Sequence, residues 1–134
     1  MLRRTVLVAV LFAPVAPAAA HHSIAGVYDS TRAVTLDGVV SAFHFVNPHP
    51  YVEIDVRESS ATTRWRVELD NRYELAAVGM SAMTIRPGDR VVIIGSAARD
   101  GSRSLYARSL QRPSDGFLYE QVGFSPRVTL PRAP

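Results

Sequence analysis

The chain has 134 residues, no cysteine, and a formal net charge of +3 carried by arginine alone, since lysine is absent. That length gives room for one domain, and no internal repeat is visible. Without thiols there is neither a disulfide staple nor a thiolate metal site, so packing alone must hold the fold.

Met1-Leu2-Arg3-Arg4 is a short positive start, residues 5–16 are apolar, and Ala18-Ala19-Ala20 is a small-residue stretch. This pattern predicts a signal peptide over residues 1–20. Pro14 and Pro17 break a run already shorter than the ~20 residues needed to span a bilayer, which argues against an anchor. Arg3-Arg4 also allows twin-arginine export, although an ordinary n-region is the simpler reading. Losing the segment leaves 13 arginines against 12 acidic residues, so the remainder is close to neutral. A nucleic-acid partner, which needs a clustered positive footprint, is thereby disfavoured. The expected location is periplasmic or secreted, with no membrane insertion after signal removal.

Residues 24–32 are mixed, with a turn signal at Asp29-Ser30. The first strand is predicted from near Val34 to Val46. Val40 and Phe43 are three apart, so placing both inside needs a bulge near Ser41-Ala42. Val52, Ile54 and Val56 alternate with charged residues and predict a second strand. Thr63, Trp65, Val67 and Leu69 predict a third, joined to it by a turn at residues 58–61. Asp70 or Asn71 can cap a short helix ending at Gly79. Met83 and Ile85 then cover the end of the core, and Arg86-Pro87-Gly88-Asp89 is a turn. Val91-Val92-Ile93-Ile94 predicts a strand buried on both faces, and residues 104–111 the last strand after a turn at Arg99-Asp100-Gly101-Ser102. Three strands, a short helix and two strands give an all-β class, a small five-stranded barrel like the oligonucleotide/oligosaccharide-binding (OB) fold. The expected domain covers residues 21–112. Residues 113–134 hold four prolines and read as a tail, with Phe117, Tyr119 and Phe124 able to pin part of it.

Candidate chemistry rests on histidine. Signal cleavage after Ala20 makes His21 the first residue, so its α-amine and ring nitrogen can chelate one metal, as in a histidine brace. Cleavage after Ala18 puts His21 third, the position for a square-planar Cu(II) or Ni(II) site. The plainer reading of His21-His22 is a polar lead-in. His49 lies in Asn47-Pro48-His49-Pro50, where two prolines stiffen a loop expected at the barrel rim. It is the third candidate metal ligand, with simple hydrogen bonding to backbone as its alternative. His44 alternates with Phe43 and Phe45 and is expected in solvent. Glu68 can orient His49 or accept from an arginine; a cross-strand pair with Arg57 or Arg66 is the commoner outcome. Tyr51, Arg64 and Arg66 make a second candidate ligand face with Asn47 nearby. No nucleophile elbow, phosphate loop or paired carboxylates can be read, so no catalytic residue is named.

His21-His22-Ser23 after an Ala-rich leader, the Asn47-Pro48-His49 turn, Trp65-Arg66-Val67-Glu68 and Pro87-Gly88-Asp89 together resemble the bacterial exported proteins grouped as domain of unknown function 6152. The resemblance covers about residues 21–111, in order and spacing. Phe45 departs from the tryptophan frequent there, and the Pro-containing tail is longer. The resemblance implies the domain and the compartment but no reaction. In layout the chain is also similar to small periplasmic OB-fold stress proteins that bind ligands.

Two functions follow as expectations. One is a binding module for copper or another transition metal through His21, His22 and His49. The other is a metal-free accessory barrel that takes a small molecule, a saccharide or an envelope protein on the face of Tyr51, Arg64 and Arg66.

Overall fold

The computed structural model describes residues 23–131. A four-residue helix α1 (Ile24–Val27) leads into β1 (Tyr28–His44), followed by β2 (Tyr51–Glu58), β3 (Ala61–Glu68), α2 (Arg72–Ala77), β4 (Arg90–Ala98), β5 (Ser104–Arg112), β6 (Phe117–Val122) and β7 (Ser125–Thr129). The protein is all-β, with seven strands in one sheet ordered β3-β2-β1-β4-β5-β6-β7.

One pairing returns the sheet on itself. β3 runs parallel to β5 through Arg66↔Ser104, Val67↔Leu105 and Glu68↔Tyr106. The pairings β1–β2–β3–β5–β4 therefore form a circuit back to β1. The apolar face of each strand points into this circuit: Val52 and Ile54 from β2, Val67 from β3, Ile93 from β4 and Leu105 from β5 are all fully buried. Leu69, Leu75 and Ile85 close one end.

β1 serves two partners because it bends. Its first part pairs with β4 and its last part with β2, with Val39 facing both. The register slips between Val40 and Ala42, leaving Ser41 as the extra residue. That is the bulge predicted to bring Val40 and Phe43 to one side, and both pack in the core. A second irregularity between Asp29 and Ala33 loops out residues 30–32, with Asp29 accepting from the Thr31 amide and hydroxyl. β1 thus starts six residues before the predicted Val34.

Helix α2 forms as expected. The Asn71 side chain caps it by accepting from the Glu74 amide, and Gly79 at φ +95° ends the turn after it. The cap is Asn71 because Asp70 is engaged elsewhere.

Three expectations are corrected. The strand count is seven, not five: β6 and β7 arise from residues read as a tail, because Phe117 and Tyr119 of β6 are fully buried. β4 alternates rather than burying both faces, with Val91 and Ile93 inside and Ile94 41% exposed. Met83 is exposed, so Ile85 alone of that pair enters the core.

Candidate functional site

His49 is held by its own loop and by the junction between β3 and α2. The Leu69 amide donates to the Pro50 carbonyl at 2.9 Å, and the Arg72 amide to the Pro48 carbonyl at 3.0 Å. The imidazole adds a third tie: Nδ1 lies 2.9 Å from the Leu69 carbonyl oxygen. A carbonyl only accepts, so Nδ1 carries a proton, and in the neutral ring Nε2 keeps its lone pair. Metal-ligating histidines are commonly oriented in this way.

Glu68 stands beside it. Its Oε1 is 3.8 Å from His49 Nδ1, close enough for charge attraction but beyond hydrogen-bond length. Its Oε2 accepts from the Tyr28 hydroxyl at 2.7 Å. Neither Arg57 nor Arg66 takes the carboxylate; Arg57 lies across from Thr62, and the Arg66 guanidinium covers the Tyr51 ring at 3.5 Å.

Behind this pair lies Asp70, only 4% exposed. The Tyr106 hydroxyl donates to its Oδ1 at 2.5 Å, and the Tyr119 hydroxyl to its Oδ2 at 2.9 Å. Gln121 Nε2 donates to Oδ1 and to the Tyr106 oxygen, each at 3.1 Å. Tyr106 stands edge-on to His49, ring centres 6.5 Å apart, and tilts against Tyr28 at 5.8 Å. Two carboxylates and three tyrosines thus form one continuous polar cluster. Burial pushes all three phenols well above the ordinary tyrosine range. The bond to Glu68 adds to this for Tyr28, and the charge and hydrogen bonds of Asp70 for Tyr106 and Tyr119. They act as neutral donors near pH 7.

The other candidates are outside this hydrogen-bonded cluster. Asn47 is exposed on the loop. Tyr51 is sandwiched: His44 stacks on it at 4.3 Å and Arg66 lies over it at 3.5 Å, distances that require opposite faces. His44 is therefore half-buried rather than in open solvent, with Nε2 3.8 Å from Glu53. Arg64 forms a two-pronged pair with Asp55 at 2.9 and 3.2 Å, which holds that carboxyl below its usual range. Of the predicted residues, the structure brings together His49 with Glu68 and Tyr51 with Arg66. His21 and His22 lie outside the described residues. Among the described residues no three His, Asp or Glu side chains converge as a ligand set.

Sequence reasoning missed Tyr28, Tyr106, Tyr119, Gln121 and the burial of Asp70. Tyr106, Tyr119 and Gln121 reach Asp70 across 36 to 51 residues of chain, and Tyr28 reaches Glu68 across 40, so no local spacing marks them. The one available signal was the two-residue spacing of Phe117 and Tyr119, which puts both aromatics on one face of a strand.

A family model described as a family of unknown function, DUF6152, matches residues 9–106. No curated protein and no solved structure matches the chain.

Proposed function

Because the chain belongs to the family of unknown function DUF6152, which brings no activity with it, we propose its role from the site alone. It is an exported binding module for copper or a related transition metal, held by His49 Nε2 together with His21 and His22. The frame for this site is an OB-like five-stranded barrel carrying an extra C-terminal hairpin, a reading that the circuit of strand pairings supports.

The observation that carries the reading is the 2.9 Å contact of His49 Nδ1 with the Leu69 carbonyl, which commits one nitrogen and leaves the other for a ligand. Glu68 places negative charge next to the ring, which favours a cation. Five residues separate His22 from Tyr28, and Tyr28 is bonded to Glu68 beside His49. Nitrogen donors bind Cu(II) most tightly among the divalent first-row ions. Arg64 and Arg66, already engaged by Asp55 and Tyr51, have less to offer a saccharide.

Titrating Cu(II) into the chain from His21 onwards tests the proposal. We expect His49→Ala to weaken binding at least tenfold and His21→Ala with His49→Ala to reduce it to background. Equal affinity in the double variant and the parent sinks the reading. The mass of the protein isolated natively from the producing cell fixes its first residue and reveals any carried metal.

A further inference from the structure

Against the Tyr28–Tyr106 pair lies an open groove of about 470 Å³. Tyr28, Tyr106 and Phe124 supply aromatic walls; Arg108, Ser96 and Gln121 supply polar ones. The polar wall is shaped by irregularities in the sheet.

Arg108 is the extra residue of a bulge in β5. Ser109 pairs with Ile94 and Ala107 with Gly95, so Arg108 has no partner across the ladder. A bulge re-aims the side chain it displaces, and here the arginine lines the groove. The opposing residue must be glycine: a Cβ at Gly95 would sit 2.8 Å from the Tyr106 carbonyl oxygen. The outward loop of β1 meets the same arginine, with the Ser30 carbonyl accepting from Nη2 and the Ser96 hydroxyl from Nε at 3.0 Å. Two irregularities, in the two strands that flank β4, thus fix one guanidinium.

That guanidinium is half-buried and has no carboxylate partner among the described residues, whereas Arg64, Arg90, Arg99, Arg112 and Arg127 each have one. Glu68 and Asp70, the nearest acids of the polar cluster, are tied to tyrosine hydroxyls. A partly desolvated cation without a counter-ion is a site for an anion, and planar guanidinium matches carboxylate geometry. Phe124, 98% exposed at the β6–β7 turn, offers a flat apolar surface beside it.

We propose that this groove binds a small aromatic carboxylate, its carboxylate on Arg108 and its ring against Phe124 and the Tyr28–Tyr106 pair. The site is separate from the metal reading and does not rest on it.

The test is a metal-free NMR titration of the chain from His21 onwards with benzoate, benzamide and inorganic phosphate. Benzoate is expected to bind saturably and to shift the amides of Ser96, Arg108 and Gln121. Benzamide, of the same shape without charge, should bind at least tenfold more weakly, since a charge-assisted bond is lost. Arg108→Gln should weaken benzoate by a similar factor. Phe124→Ala, at an exposed turn, should weaken it several-fold with an unchanged melting temperature, so one variant remains informative even where Arg108→Gln fails to fold. Absence of saturable benzoate shifts, equal affinity for benzamide, phosphate binding as tight as benzoate, or no effect of Phe124→Ala overturns the proposal.

Discussion

Asp70 shows how much one side chain can organise. It leaves the cap of α2 to Asn71 and turns inward, where both of its oxygens accept from hydroxyls and one also accepts an amide. A buried carboxylate is tolerated only when its lone pairs are filled, and here β5 and β6 supply all three donors. Asp70→Ala removes the common acceptor and leaves the hydroxyl protons of the buried Tyr106 and Tyr119 without a partner. We expect a loss of about 3 kcal/mol in urea-unfolding stability, with the slope of the transition preserved. A variant that unfolds at the parent's midpoint would show that these bonds carry no net stability. His49 depends on the same junction, since its ring is set by the carbonyl of Leu69, the residue next to Asp70.

At the scale of elements, the C-terminal hairpin is structural rather than appended. Phe117 and Tyr119 contribute two of the largest buried side chains, and Gln121 completes the polar cluster. Removing residues 113–134 would open the core at β5 and take from Asp70 two of its three donors at once. Each large aromatic lost from a core costs about 3–5 kcal/mol, so the truncated chain is expected to lose its cooperative transition and bind a hydrophobic dye. Retention of a sharp thermal transition would contradict this. The element was hard to read because Pro113, Pro126 and Pro131 suggest a tail. Pro126 is accommodated on β7, the edge strand, where proline is least disruptive. The elements from β1 to β5 were legible for the opposite reason: alternation in β2 and β3, a capped helix and glycine-marked turns all agree locally. The bulge at Ser41 was legible too, because the three-residue spacing of Val40 and Phe43 admits no straight strand.

For the whole molecule, the tyrosine cluster sets the alkaline limit. Tyr28, Tyr106 and Tyr119 have folded pKa values raised above the unfolded value near 10. Such groups contribute their full stabilisation below pH 10 and lose it as the pH rises further, because the unfolded chain then releases protons that the native one retains. Stability should fall by about 1.4 kcal/mol per pH unit for each such tyrosine above that point. Urea midpoints at pH 8, 10 and 11, with phenolate absorbance followed in parallel, would show it; midpoints independent of pH over this range would contradict it. The site itself was only partly legible. His49 and Glu68 could be named from the loop and the strand, since adjacent strands in a hairpin bring them near. The cluster behind them could not, because the β3–β5 pairing that assembles it joins segments with no shared local pattern.

The Asp70 cluster also has a consequence for the order in which the chain can complete itself. A polypeptide emerging from its N-terminus has all of β1 to β4 available while the donors for Asp70 are still missing, since Tyr106, Tyr119 and Gln121 come last. Until nearly the final strand has appeared, that carboxylate is better served by water than by the interior, and the end of the core around it stays open. Completion is thus tied to arrival of the whole chain, so a chain that stops short of β6 keeps this end of its core unfinished.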